Sequence, residues 1–349
     1  MSPSGKATVF GTVMRRFESF HPNSYFLEGY MFEEDLNFKL FSGSSHLSLT
    51  RQIARYLGIS LGEVDLETFP DGEIFVRILE NVRGRDVFLV QSIAMNPNFY
   101  LMELLIMIDA LKRASVRSIV AVIPYFGYCR QDRKDQSRVP ITAKLVTNLI
   151  EEAGASRVLT MDLHTSQVQG FFDIPVDNLY ARIEMAPILK ESFSNRPVIV
   201  SPDLGSIKLA RAFAADLNGD FAIVDKMRVN ANQVLPAALI GDVRDRDVLL
   251  VDDMCSTGGT LMMAASICEK MGAKNIYAVV THGLLLGKAI RNLEESPVRK
   301  LWISNTIPEA DKLKHPKIEV LSVASLFGKA IDRINSAQSI SSLFNAAGI

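Results

Sequence analysis

Seven short β-branched runs, set apart by helix-forming stretches, constrain this chain more than any other feature. They are Val87–Gln91, Ser118–Pro124, Val158–His164, Val198–Asp203, Phe221–Asp225, Val248–Asp253 and Ile276–His282, nearly all closing on a polar residue. From Asn98 to Ala114, the residues Leu101, Leu104, Leu105, Ile108 and Leu111 recur at helical spacing, and Met262–Met271 behaves similarly. Strands alternating with helices fold as mostly parallel sheets flanked by helices, an α/β architecture. Ligands in such sheets bind beyond the carboxyl ends of the strands. Asp162, His164, Asp203, Asp252, Asp253 and His282 stand at those ends.

The chain also repeats itself. Gly84-Arg85-Asp86-Val87-Phe88-Leu89-Val90 matches Asp245-Arg246-Asp247-Val248-Leu249-Leu250-Val251, and each copy precedes a helix and a second strand. With 349 residues, 48% of them hydrophobic, the chain is long enough for two domains. We expect two similar ones, 37–180 and 181–349, after an extension 1–36 that shows no clear period. The polar tail of the second is a candidate for packing at a subunit interface.

Only the second copy continues into Asp252-Asp253-Met254-Cys255-Ser256-Thr257-Gly258-Gly259-Thr260, with a helix from Leu261. N–H groups at a helix start lack intrahelical partners and favour anions. Together with the hydroxyls of Ser256, Thr257 and Thr260 they suit a phosphate, and Gly258 and Gly259 permit close approach. Asp252 and Asp253 suit vicinal sugar hydroxyls, directly or through Mg2+. The first copy has Gln91-Ser92-Ile93-Ala94-Met95-Asn96 at this place, with neither paired acids nor glycines. The second-copy loop resembles the phosphoribosyl-diphosphate loop of type I phosphoribosyltransferases.

Composition excludes several classes. The 38 Lys and Arg are balanced by 39 Asp and Glu, a net charge of −1, so nucleic acid is a poor partner. No segment approaches the roughly 18 apolar residues of a membrane span, and the N-terminus lacks a signal-peptide run. Cys129, Cys255 and Cys268 have no metal-ligand spacing and an odd count, which argues against a disulfide framework. A soluble, cytoplasmic protein is expected.

Further polar stretches fall in a definite order. They include Phe41-Ser42-Gly43-Ser44-Ser45-His46, Phe69-Pro70-Asp71-Gly72-Glu73, Glu80-Asn81-Val82-Arg83-Gly84, Arg130-Gln131-Asp132-Arg133-Lys134, Asp162-Leu163-His164 and Ser201-Pro202-Asp203. Joined to Gly170-Phe171-Phe172-Asp173-Ile174-Pro175-Val176-Asp177 and the Asp252 loop, they resemble the ribose-phosphate diphosphokinases (phosphoribosyl diphosphate synthetases) of the phosphate-dependent type. The resemblance runs from about Phe41 to Phe344.

That resemblance implies transfer of the β,γ-diphosphoryl group of ATP to the anomeric hydroxyl of ribose 5-phosphate, giving AMP and phosphoribosyl diphosphate. It implies Asp71, Gly72 and Glu73 on the adenine side, with Arg130 and Gln131 as an ATP clamp. His164 and Asp203 would meet Mg2+ or the nucleotide, with Asp162, Asp173 and Asp177 in the neighbouring acidic signature. Lys226 and Arg228 match a flexible-loop Lys-x-Arg that stabilises the transition state. The Asp252–Thr260 loop would hold ribose 5-phosphate. Arg83, Ser137, Arg138, Ser339 and Ser341 resemble a regulatory site for phosphate and ADP, in a homo-oligomer that the resemblance makes a hexamer. Two positions depart from the usual pattern: Ser206 replaces a glycine, and Ser256 stands where many members have aspartate.

Two other readings compete. A non-catalytic regulatory subunit of the same family would carry altered or interrupted catalytic loops, whereas the acids and cations above are all present. A simple phosphoribosyltransferase would need only the Asp252 loop and one domain, leaving the matching first half unexplained.

Overall fold

The computed structural model describes residues 37–225, 228–230, 233–234, 238–308 and 314–343. The extension 1–36 and Lys226 lie outside them. In chain order the first half holds β1 (Phe38–Ser42), α1 (Leu47–Leu57), β2 (Val64–Thr68), β3 (Ile74–Ile78), β4 (Asp86–Val90), α2 (Pro97–Arg113), β5 (Ser118–Ile123), α3 (Thr142–Ala153), β6 (Arg157–Met161) and β7 (Val176–Leu179). Then follow α4 (Arg182–Ser192), β8 (Val198–Ser201), α5 (Ile207–Asp216), β9 (Asp220–Asp225), β10 (Arg228–Asn230), β11 (Gln233–Val234), β12 (Ala238–Ile240) and β13 (Asp247–Cys255). The last elements are α6 (Gly259–Lys270), β14 (Asn275–Gly283), α7 (Ala289–Glu294), β15 (Val298–Ser304), β16 (Ile318–Leu321) and α8 (Ala324–Asn335).

The expected α/β alternation is present. One sheet runs β1-β4-β5-β6-β7, and a second runs β12-β9-β8-β13-β14-β15-β16. Every neighbouring pair in them is parallel except β12 with β9. Parallel sheets are covered on both faces, which is why their strands read as continuous apolar runs. Alternate residues then serve opposite layers. Val87 and Leu89 join α2 and α3 through Leu104, Ile108, Val146 and Ile150, while Phe88 and Val90 turn to a central cluster.

That central cluster is shared by both sheets. It contains Leu40, Phe88 and Val122 from the first, Ile199, Leu249 and Val279 from the second, and the helical residues Ile53, Met185, Phe213 and Phe327. Helix α8 thus packs beside α1, far from it in sequence. The outer face of the second sheet is closed by Val198, Val248, Leu250 and Val280 against Leu261, Ala264 and Ala265 of α6.

Strand order explains where a site forms. In the second sheet β9 lies on one side of β8 and β13 on the other, so the connections leaving β8 and β13 diverge and open a crevice at their carboxyl ends. Successive strands of the first sheet step in one direction. It has no such reversal, in keeping with the missing phosphate loop in the first copy of the repeat.

Candidate active site

A cleft of about 1690 Å³ opens at that reversal. Arg130, Gln131, His164, Asp203, Asp252, Asp253 and the whole Ser256–Thr260 loop line it. Residues separated by more than a hundred positions are therefore brought together.

The paired acids sit differently from the sequence reading, which ended the strand at Asp253. Strand β13 continues to Cys255, with Asp252 opposite Val280 and Met254 opposite His282 on β14. A strand ladder fixes backbone more firmly than a loop does, so both carboxylates issue from a rigid base. Beyond it, Gly258 has φ 77 and ψ −4, the left-handed conformation that glycine adopts without strain. This glycine is the N-cap of α6 and offers no side-chain cap, and the amino end of a helix favours an anion. Leu286 N donates to Ser256 O at 2.8 Å and Asn292 Nδ2 to Thr257 O at 2.9 Å, holding the loop from behind.

His164 Nδ1 lies 2.6 Å from Asp253 Oδ2. This hydrogen bond holds the imidazole above its usual pKa. Burial pushes the Asp253 carboxyl up, but the hydrogen bond and charge of His164 outweigh it and hold the group low. Asp252 goes the other way, raised by burial and then by the adjacent Asp253 charge. Asp252 Oδ1 accepts from Ser206 Oγ and from Asp253 N. Asp203 Oδ1 accepts from Gly205 N at 2.9 Å.

Asp162, which lines the cleft, is also tied into the fold. It is buried, takes a positive φ of 40, and its Oδ2 accepts from Thr281 Oγ1 at 2.6 Å and Ala181 N at 3.0 Å. Its carbonyl lies 3.2 Å from Nε2 of the buried His282, whose Nδ1 is 2.8 Å from Thr306 Oγ1. Burial raises Asp162 to about 6 and lowers His282 to about 4. This network joins the end of β6 to β14. Asp177 pairs with Arg157 at 2.6 Å, and Asp173 N donates to Glu151; neither acid lines the cleft.

The remaining expected residues lie elsewhere. Asp71, Gly72 and Glu73 form the exposed tip of the β2–β3 hairpin, where Glu73 N donates to Asp71 Oδ1 at 3.1 Å. They are not among the cleft's lining residues, and neither are Arg83, Ser137, Arg138, Ser339 and Ser341. Arg138 has φ 64, and Ser341 N donates to Ser339 Oγ at 3.2 Å. Arg228 begins β10, which pairs with β11. Among the described residues no three His, Cys, Asp or Glu gather as a metal cage. Sequence reasoning missed Ser206, Thr281 and Thr306 as partners of site-proximal acids and histidines; a lone hydroxyl carries no periodic signal.

Parallel sheets, a strand-order reversal and a glycine-rich anion loop preceded by paired acids define a type I phosphoribosyltransferase-like fold. Residues 38–154 match the model of the N-terminal domain of ribose phosphate pyrophosphokinase, and residues 225–345 match the phosphoribosyl synthetase-associated domain. A ribose-phosphate pyrophosphokinase of Helicobacter hepaticus is 50% identical over 88% of this chain and 99% of its own length. One from Wolinella succinogenes is 51% identical over the same shares. The crystal structure of phosphoribosylpyrophosphate synthetase from Mycobacterium smegmatis is 39% identical, covers 86% of this chain and 99% of its own, and superposes with a TM-score of 0.82. The chain belongs to the ribose-phosphate pyrophosphokinase family.

Proposed function

We propose that this enzyme transfers the diphosphoryl group of ATP to the anomeric hydroxyl of ribose 5-phosphate, yielding phosphoribosyl diphosphate and AMP. The observation that carries the reading is the single cleft in which the Asp252–Thr260 loop faces Arg130, Gln131, His164 and Asp203. The Ser256–Thr260 loop receives the 5-phosphate and Asp252 and Asp253 the ribose hydroxyls. Arg130 and Gln131 hold the triphosphate. Phosphoryl transfer asks a protein mainly for positioning and charge neutralisation, and Lys226 with Arg228 supplies cations to the migrating group. Nothing favours a purely regulatory role.

The donor set suits Mg2+, which takes one or two carboxylates and completes its shell with water and substrate phosphates. Asp203, and His164 through the Nε2 left by its bond to Asp253, are the protein's donors. Bound there, the ion would neutralise the phosphate chain. Asp71, Gly72 and Glu73 keep the adenine-side assignment. Because their hairpin tip does not line this cleft, a second copy of the chain would bring it to the nucleotide. Within each chain we divide the body into domains 37–180 and 181–349. Phosphorylated substrates and three free, buried thiols go with a cytoplasmic location.

Product identity tests the reaction: with Mg2+, ATP and ribose 5-phosphate the nucleotide product should be AMP, and ADP would refute the reading. In the same assay Lys226→Ala should lower kcat by about a hundredfold or more while leaving ribose 5-phosphate affinity nearly unchanged. A kcat within a few-fold of wild type removes Lys226 from the mechanism.

A further inference from the structure

Ser206 occupies a position where a hydroxyl normally serves a helix, and it serves a carboxylate instead. It is the N-cap of α5, where a serine side chain ordinarily accepts from the second or third helical N–H. Here it makes no such cap. Its hydroxyl donates to Asp252 Oδ1 across the boundary between β8 and β13. The backbone does not dictate the residue, because φ −92 and ψ 6 are open to most side chains.

Two donors thus meet on one oxygen: Ser206 Oγ, and Asp253 N at 2.9 Å. An oxygen of this kind offers about two lone-pair sites, so the two donors occupy Oδ1 and fix which way the Asp252 carboxyl turns. The terminal torsion of an aspartate is otherwise broad and roughly two-fold. The same segment seats Asp203, whose carbonyl accepts from Ser201 Oγ at 2.7 Å and whose Oδ1 accepts from Gly205 N at 2.9 Å. The bond from Ser206 therefore ties the Asp203 turn to Asp252 at the point where the strand order reverses.

We infer that Ser206 is a positioning residue for the sugar: it fixes the orientation in which the Asp252 carboxyl meets the ribose hydroxyls. The inference rests on the assignment of Asp252 to those hydroxyls. An orientation that serves ground state and transition state alike acts on affinity more than on turnover.

Steady-state kinetics of Ser206→Ala, Ser206→Thr, Asp252→Asn and the Ala–Asn double variant decide it. Ser206→Ala should raise KM for ribose 5-phosphate roughly tenfold, equivalent to about 1.4 kcal/mol. KM for ATP and kcat should stay within about threefold. Ser206→Thr, which keeps the hydroxyl, should restore most of the loss. In the double variant the combined effect should fall well short of the product of the single ones, since both act through one bond. Parallel changes in both KM values and kcat, or no recovery with threonine, would make Ser206 merely structural and overturn the inference. Should the alanine variant not fold, Ser206→Gly removes the same hydroxyl and carries the same test. An unchanged KM for ribose 5-phosphate in Asp252→Asn would defeat the assignment of Asp252 itself; a defect there beside a normal Ser206→Ala profile defeats only the role of Ser206.

Discussion

His164, Asp253 and Asp252 show how three neighbouring groups divide their charge. The imidazole sustains the ionised Asp253, and Asp253 in turn disfavours a second charge on Asp252. One buried histidine is kept neutral beneath them. Burial lowers the His282 imidazole to about 4, from its ordinary 6.5. Its contribution to stability is therefore whole above the unfolded value and is lost as pH falls toward the folded one, because the unfolded chain takes up the proton first. Asp162, raised to about 6, works in the opposite direction: it favours folding below its unfolded value and loses that contribution as pH rises through 6. Replacing His282 with glutamine should isolate the first effect. The stability gap between wild type and His282→Gln should shrink by about 2 kcal/mol between pH 6.5 and pH 5, as read from urea midpoints. A gap that stays constant would mean that His282 is not held neutral.

Local strand–turn–helix geometry sets the phosphate loop. Gly258 takes a left-handed conformation at the mouth of α6, and a β-carbon in that region costs about 1–2 kcal/mol. Gly258→Ala should therefore raise KM for ribose 5-phosphate several-fold while the melting temperature drops only a few degrees. Unaltered sugar-phosphate kinetics would show that the loop does not need this conformation. The loop was legible in the sequence because glycines, hydroxyls and acids adjoin one another there. The seven central strands were legible too, since each is an unbroken apolar run. Edge elements were less so: β2 and β3 hold only half-buried and exposed residues, and β7 and β16 are only four residues long. The end of β13 was misjudged because Asp252 and Asp253 read as a strand's close, whereas ladder pairing with β14 carries it on.

In the whole molecule, two sheets share one apolar layer, and the Thr281–Asp162 bond links the end of β14 to the end of β6. We propose that Arg83, Ser137, Arg138, Ser339 and Ser341 serve a response to phosphate and ADP in a homo-oligomer, in which an anion acts by binding one conformational state more tightly. Wild-type activity should rise with phosphate, Arg138→Ala should lose that response, and light scattering should give a mass above the monomer. A monomer fully active without phosphate would refute the oligomer and its regulation together. These residues are far apart in sequence and outside the cleft, so only the resemblance made them visible.

Helix α8 lies against α1, with Phe327 and Ile331 in the same cluster as Leu49 and Ile53. The ribosome therefore releases part of the first sheet's cover long after the sheet itself. Until α8 emerges, the part of the early half's apolar face that it covers stays bare, the state in which nascent chains stick to one another.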